Sequence, residues 1–80
     1  MKRLFFDSKP VIITTHAIKQ ARIRNIECPD QIFQTILGGK AQKLGKHHIK
    51  WIKKSKKGSI ICIGVQIGSI ILIKTVARGN

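Results

Sequence analysis

The chain contains few acidic residues and no tyrosine. Its 80 residues include only three carboxylates, Asp7, Glu27 and Asp30, and aromatic residues make up 5% of the composition. Asp30 directly follows Pro29, a position typical of a helix start, where a carboxylate stabilises the helix dipole. The remaining two leave little material for paired-carboxylate catalysis or for a carboxylate metal cage.

Cysteine and histidine also show no metal-binding pattern. Cys28 and Cys62 are far apart in the sequence and match no metal or redox spacing, which favours a reduced, intracellular protein. His47 and His48 are adjacent, and neighbouring residues of a strand face opposite sides, so they cannot bind one metal ion together. The sequence therefore predicts no metal, no cofactor and a cytoplasmic location.

Long hydrophobic runs are absent as well. Residues 1–6 are too short to hold the hydrophobic region of a signal peptide. The longest apolar stretch, residues 59–73, is interrupted by Gly64, Gln66 and Gly68. It is typical of two strands rather than of a membrane span, and no membrane association is predicted.

Basic residues are abundant. Sixteen Lys and Arg residues give a formal net charge of +13 on a chain of 80 residues. On so small a surface this charge favours a polyanionic partner, which could be RNA, DNA or an acidic protein. The alternative is a lysine coat that only keeps the chain in solution, or a lysine bias of the genome that encodes it.

The first half of the chain predicts two short helices. Residues 1–10 form an N-terminal arm or an edge strand, and residues 11–13 are a β-branched run. A first helix over residues 15–24 is capped by Thr14 or Thr15, and Asn25 tolerates the left-handed conformation at its end. A second helix begins after Cys28 and stops at Gly38-Gly39. The predicted buried residues of the two helices are Ala17, Ile18, Ala21, Ile32, Phe33, Ile36 and Leu37.

The second half alternates with a period of two, as strands do. Strands are predicted over residues 40–44, 47–54, 59–67 and 70–76, with turns at 45–46, 55–58 and 68–69. Residues 1–80 then form one α+β domain, with two N-terminal helices packed on one face of an antiparallel sheet of three or four strands.

One face of that sheet would remain uncovered. Either Ile60 and Cys62, or Ile61, Ile63 and Val65, must point away from the helices. An exposed apolar face on so small a protein usually contacts a partner, which could be a second copy of the chain or a protein that wraps the sheet.

The best candidates for chemistry lie on the first helix. His16, Gln20 and Arg24 are spaced i, i+4, i+8 and form one ridge. Cleavage of RNA without a metal needs a base at the ribose 2′-hydroxyl, cations around the phosphorane and an acid at the leaving 5′-oxygen. His16 is suited to acid or base chemistry, and Arg24 to bidentate phosphate binding. The alternative for His16 is a capping or packing role at the helix start.

Other polar residues are candidates for contacts with nucleic acid. Trp51 is the only large aromatic residue of the sheet and fits the core better than a base-stacking platform. Thr75 alternates onto the face of Ile71 and Ile73 and could equally be a packed strand residue. The predicted nucleic-acid-binding residues are Lys19, Gln20, Arg22, His48, Lys50, Lys74 and Arg78.

A short motif, with its residues in a fixed order and spacing, resembles the motif of a known family. Its residues are Thr14, His16, Ala17, Arg24 and Ile26. The pattern is similar to the hallmark of a widespread family of small domains of unknown function, in which it precedes a capped helix and an antiparallel sheet. The resemblance covers residues 11–76, with 71–76 matching the family's closing strand. Where the family has a second arginine, a glycine and a serine cap, this chain has Gln20, Asn25 and Cys28.

The resemblance implies a RelE/ParE-like toxin fold within the BECR group of barnase, EndoU, colicin nucleases and RelE, with BrnT-type toxins as relatives. Many of these are metal-independent ribonucleases that a cognate antitoxin holds inactive. It thus implies a toxin-like endoribonuclease acting on RNA, mRNA included, with His16 and Arg24 in the active site and an acidic antitoxin as partner. Because the C-terminal tyrosine of many RelE-type enzymes is absent, the base would be His16 or a lysine. The alternatives are a non-catalytic RNA- or DNA-binding module of the same fold and a homodimeric structural protein.

Overall fold

Six strands form a single sheet with two helices. The computed structural model describes residues 4–56 and 58–79. The sheet order is β1-β2-β6-β5-β4-β3, and every neighbouring pair is antiparallel except β2 and β6, which are parallel. The elements are β1 (Leu4–Phe6), β2 (Lys9–Ile13), α1 (Thr15–Ile23), α2 (Asp30–Gly38), β3 (Lys40–Leu44), β4 (His48–Ser55), β5 (Gly58–Ile67) and β6 (Ile70–Gly79).

The predicted fold class is wrong. The sequence predicted an antiparallel sheet of three or four strands after two helices, whereas the sheet is mixed, has six strands and begins before the helices. The run at residues 11–13 belongs to β2, which pairs in parallel with β6, with Val11 opposite Ile71 and Ile13 opposite Ile73. These partners come from opposite ends of the chain, and a local pattern contains no information about such a pairing.

The N-terminal segment forms an edge strand, which is one of the two alternatives that the sequence left open for residues 1–10. β1 and β2 form a hairpin through Asp7 and Ser8, with φ of 54° and 64°. Positive φ at both central residues is the geometry of the hairpin turns that match strand twist. Of the segment predicted as an arm or edge strand, residues 1–3 lie outside the described residues, and Leu4 is buried at the edge of the core.

The ends of both helices agree with the sequence except at the start of α2. The Thr14 hydroxyl accepts a hydrogen bond from Ala17 N at 3.2 Å and caps α1. At its other end Asn25 has φ of 60°, and the N–H groups of Asn25 and Ile26 donate to Arg22 and Ala21, which is a Schellman motif. α2 begins at Asp30 and ends before Gly39. Its N-cap residue is Pro29, so the prediction that Cys28 takes the cap position is wrong.

The core lies on one face of the sheet, beneath both helices. Ala17 and Ala21 of α1 and Ile32 and Ile36 of α2 are buried there. Two predicted core residues are exposed instead, Ile18 at 38% and Leu37 at 69%, because each helix touches the sheet along a narrow stripe. Thr35, which was not predicted, is buried in the stripe of α2. The remaining members of the core are Leu4, Val11, Ile26, Ile49, Trp51, Ile60, Cys62, Ile71, Ile73 and Val76.

The other face of the sheet is not covered by either helix. Trp51 and Cys62 are opposite each other and are both buried in the core. The neighbours of Cys62 in β5, Ile61 and Ile63, therefore point away from the helices. Of the two alternatives left by the sequence, Ile61, Ile63 and Val65 form the uncovered face.

A β-bulge interrupts the alternation of β6. Ile63 is opposite Thr75, but the next residue of β5, Gly64, is opposite Ile73, so Lys74 is the extra residue. The extra residue shifts the alternation of side chains by one, so each residue of β6 beyond the bulge points to the face opposite to the one that simple alternation predicts. Thr75 consequently shares the uncovered face with Ile63, and the prediction that it lies on the face of Ile71 and Ile73 is wrong.

No helix within the described residues is long and apolar enough to cross a membrane. The predicted turn at 55–58 includes Lys57, which lies outside the described residues. The predicted strand over 40–44 and the two-residue turn at Gly68-Ser69 are confirmed.

Candidate functional site along helix α1 and strand β6

Helix α1 lies along an edge of β6 that no strand within residues 4–56 and 58–79 covers. The pairing of β2 with β6 ends at Ile13 and Ile73. The next residue, Thr14, donates from both its N–H and its hydroxyl to the Ile73 carbonyl, at 3.2 and 2.8 Å. Farther along, Val76 N–H donates to Gln20 Oε1 at 2.9 Å. Side chains of α1 thus take the place of a neighbouring strand.

Gln20 connects this edge to His16. Because the Val76 N–H can only donate, the Gln20 atom that faces it is the carbonyl oxygen, and the amide nitrogen faces His16 Nε2 at 3.1 Å. The amide nitrogen is a donor, so His16 Nε2 must be the acceptor and the proton of the neutral ring lies on Nδ1. The network assigns the tautomer of His16 and leaves an Nδ1–H donor on an exposed side chain.

Lys74 lies at the same end of α1 as His16. Its backbone is between Ile73, which contacts Thr14, and Val76, which contacts Gln20. The bulge places it there, and its side chain is exposed. Bulges often redirect a side chain beside a functional site, and here one adds a cation next to the turn that carries His16.

Arg24 lies at the opposite end of α1. It is the C-cap residue, with φ of −91° and ψ of 8°, and is exposed. At about 1.5 Å per residue, its backbone is about 12 Å from that of His16 along the helix axis. The two residues share a side of α1, but they cannot act on one atom together without a large reach by the arginine.

Arg78 has a structural role at the same end. Its guanidinium donates from Nε to the Arg24 carbonyl at 3.3 Å and from Nη2 to the Asn25 carbonyl at 2.8 Å. These carbonyls lie at the C-terminus of α1, where the helix dipole favours a cation. The predicted binding residue Arg78 therefore also joins β6 to the end of α1.

The other predicted binding residues are divided between two surfaces. Lys19 and Arg22 are exposed on α1. His48 and Lys50 lie on the uncovered face of β4, since they are opposite Val65 and Ile63. The structure therefore groups His16, Lys19, Gln20, Lys74 and Arg24 along α1 and β6, and separates them from the two β4 residues.

Two surface clefts of about 350 Å³ lie away from His16. Ile18, Arg22, Ile26 and Cys28 line one, and His47, His48 and residues 65–68 line the other. In the first cleft, burial raises the pKa of the Cys28 thiol, and the Arg22 charge partly opposes this shift. Within residues 4–56 and 58–79, no group of three His, Cys, Asp or Glu side chains could hold a metal ion.

Sequence reasoning missed the function of Gln20 as an acceptor for the backbone of β6. Spacing on the helix indicates that Gln20 lies beside His16, but the contact with Val76 depends on the uncovered edge of β6. That edge exists because the parallel pairing of β2 with β6 ends at Ile13 and Ile73. The sequence alone does not reveal this pairing.

Comparison of the chain with models of known protein families, with curated proteins and with solved structures finds no match. The relationship to RelE-type toxins, which rests on the motif around His16, stays a prediction.

Proposed function

We propose that the protein binds single-stranded RNA along α1 and the adjoining edge of β6. The observation that carries the proposal is the hydrogen-bond chain from Val76 through Gln20 to His16. It holds an exposed imidazole whose N–H donor has no hydrogen-bond partner among the residues that the structure describes. A donor fixed in this way suits a phosphate or ribose oxygen. The net charge of +13 supplies long-range attraction to a polyanion.

The basic residues of α1 and β6 are placed to follow a strand of RNA. His16 and Lys74 are at one end of α1 and Arg24 is at the other, about 12 Å away by helix geometry. This separation suits contacts to different phosphates of one strand, with Lys19 between them. No large aromatic residue lies on α1, so the proposal expects recognition of phosphate and ribose rather than base stacking. An RNA ligand agrees with the cytoplasmic location that the reduced cysteines favour.

The test is fluorescence anisotropy with a labelled 20-nucleotide single-stranded RNA of mixed sequence. We expect binding to weaken steeply with salt, because each phosphate contact releases counterions. Lys74→Gln should weaken binding about three- to tenfold and reduce the salt slope by about one. Lys43→Gln is the matched control, because Lys43 is an exposed strand lysine of β3, at the opposite edge of the sheet.

Equal effects of the two lysine substitutions would contradict a localised site and leave only non-specific charge attraction. His16→Ala should weaken RNA binding more than His47→Ala, which changes an exposed histidine of the β3–β4 turn. A DNA oligonucleotide of the same sequence should bind more weakly if the ribose hydroxyl is contacted.

The second candidate function is the metal-independent, toxin-like endoribonuclease with His16 as acid or base. The exposure of His16 on α1, which also carries Lys19 and runs alongside the Lys74 backbone, favours it, since these cations could stabilise a phosphorane. Proton transfer at Nε2 would require the Gln20 amide to move away, because that nitrogen now accepts a hydrogen bond. An acidic antitoxin would be the expected partner of such an enzyme.

Expression in a bacterial host separates the two functions. A toxin-like ribonuclease should arrest growth, His16→Ala should relieve the arrest, and His47→Ala should not. The purified protein should cleave RNA in the presence of EDTA. Intact RNA at protein concentrations that saturate binding would reject the enzyme and leave the binding module.

A further inference from the structure

We infer that the uncovered face of the sheet is a docking surface for an acidic amphipathic helix of another protein. This open face comprises the side chains that point away from α1 and α2. Its exposed apolar members include Phe5 at 54%, Ile12 at 46% and Ile67 at 53%. Its centre is formed by Ile52, Ile61, Ile63, Val65 and Leu72, which are half-buried. A contiguous apolar face of this kind typically marks an interface.

The lysines of the open face all lie on one half of it. Lys50 and Lys54 of β4 and Lys40 of β3 are on it, because they share the register of Ile52 and Ile63. The opposite half, formed by β1 and β2, is apolar, with Phe5 opposite Pro10 and Ile12 opposite Leu72. The described part of the chain places its acidic residues elsewhere, in the β1–β2 turn and around the start of α2. The face therefore lacks carboxylates for its lysines.

This distribution of charge favours one kind of binding partner over the others. A second copy of the chain would add lysines and no carboxylates to the same interface, at a net charge of +13 for each copy, and like charges brought together are unfavourable. Single-stranded RNA is held by polar contacts to its phosphates and riboses or by stacking of its bases on aromatic side chains, and the aliphatic centre of the open face offers neither. A helix with an apolar stripe and Glu or Asp along one flank satisfies both the aliphatic centre and the lysines.

The dimensions fit such a helix. β5 runs through the centre of the face, and its 10 residues span about 33 Å at about 3.3 Å per residue. A helix of about 20 residues has a similar length. Packed on the open face, it would complete a second helical layer on the sheet, which is a common arrangement in proteins that combine helices and sheets.

The proposal is independent of the RNA site, which lies along α1 and the edge of β6. The probe is a labelled 20-residue peptide with leucines at i, i+3, i+4 and i+7 and glutamates along one flank. Its controls are a peptide of the same composition with the stripe scrambled, and one in which lysines replace the glutamates. We expect saturable binding of the first peptide only, measured by anisotropy with the full chain.

Two double variants locate the binding. Ile61→Thr with Ile63→Thr keeps β-branched residues in β5 but removes apolar surface, and should weaken peptide binding about tenfold or more. Lys50→Gln with Lys54→Gln should weaken it about threefold to tenfold and lower its salt dependence. Ile23→Thr and Lys19→Gln, both on exposed positions of α1, should leave peptide binding unchanged. Emission from the buried Trp51 verifies that each variant is folded.

Three results would overturn the inference. The first is no preference for the acidic amphipathic peptide over its controls. The second is a dimer in sedimentation that the double threonine variant dissociates, because the occupant is then a second copy. The third is RNA binding that this variant abolishes while Lys74→Gln does not. If instead His16 proves irrelevant to RNA while the peptide result holds, only the proposed RNA function fails.

Discussion

Gln20 joins two parts of the molecule that are distant in sequence, through its contacts with the Val76 N–H and His16. A guanidinium has only donors, so an arginine at this position could donate to His16 Nε2 but could not accept from the Val76 N–H. Glutamine carries both a donor and an acceptor, and it can therefore serve His16 and the β6 backbone at the same time.

The first prediction concerns that proton. In Gln20→Ala, His16 should lose its Nδ1–H preference and shift toward the Nε2–H tautomer, and the free energy of unfolding should fall by about 1 kcal/mol with the lost hydrogen bonds. Long-range ¹H–¹⁵N spectra at a pH where the ring is neutral report the tautomer. Gln34→Ala on the exposed side of α2 is the control, and the His47 spectrum should not change. An unaltered His16 spectrum would contradict the network.

The second prediction concerns Cys62, a buried thiol opposite Trp51. Burial raises its pKa to about 12 from an ordinary value of 9.0. The folded chain therefore keeps the proton while the unfolded chain loses it, so stability is retained below pH 9 and is lost as pH rises toward 12. The Cys62 contribution to the free energy of unfolding should fall by about 1.4 kcal/mol per pH unit in this range.

Urea unfolding at several pH values, compared between the native chain and Cys62→Ala, isolates this slope from the titration of the lysines. Cys28→Ala is the matched control, because Cys28 is exposed and should leave most of the slope in place. Parallel curves for the native chain and Cys62→Ala would show that the thiol ionises freely in the folded state.

Among the elements, those with a strong local pattern were predicted well. The β5–β6 hairpin follows from two apolar runs around Gly68, whose φ is +58°, and α1 follows from its threonine cap and Asn25. The sequence did not predict the pairing of β1 with β2, the pairing of β2 with β6, or the bulge at Lys74. Each of these depends on contacts between distant segments or on a single-residue shift of register, which periodicity does not record.

Like the fold, the candidate site was predictable only where it depends on local spacing in the sequence. His16 and Gln20 are brought together by helical spacing alone, as the sequence indicates. The position of the Lys74 backbone alongside α1 is different, because it follows from the bulge and from the end of β2 at Ile13. Sequence reasoning could name Lys74 as a basic residue close to a strand end, but it could not predict that Lys74 is the extra residue of a bulge.

The third prediction concerns the junction of β2, α1 and β6. The Thr14 hydroxyl both caps α1 and donates to the Ile73 carbonyl. Thr14→Ala should lower the free energy of unfolding by about 1–2 kcal/mol, since it removes the cap and one bond to β6. Thr14→Ser should retain most of the free energy of unfolding, because the serine hydroxyl can make the same bonds. Thr15→Ala, at the exposed neighbouring position, should have a small effect. Urea unfolding followed by Trp51 fluorescence measures all three, and equal losses in Thr14→Ala and Thr15→Ala would refute the double role.

At the scale of the whole molecule, the two proposed interfaces lie on different surfaces. α1 and the edge of β6 present His16, Lys74 and Arg24, whereas the open face presents aliphatic side chains with lysines on one side. A polyanion and an acidic protein could therefore bind at the same time, and each would neutralise part of the same excess charge. Either ligand should stabilise the fold, because it relieves repulsion between lysines.

The last prediction tests that repulsion without any ligand. A net charge of +13 on 80 residues should destabilise the compact state at low ionic strength, so the melting temperature should rise between about 0.01 and 0.3 M sodium chloride as the Debye length shortens. A gain of about 1 kcal/mol corresponds to about 4–8 °C for a domain of this size. The triple variant Lys40→Gln, Lys43→Gln, Lys46→Gln, which changes exposed lysines of β3 and its turn, should melt at a higher temperature at low salt and respond less to added salt. Sorbitol at matched osmolality controls for general solvent effects, and a melting temperature that is flat or falls with salt would show that the charge excess is already balanced within the fold.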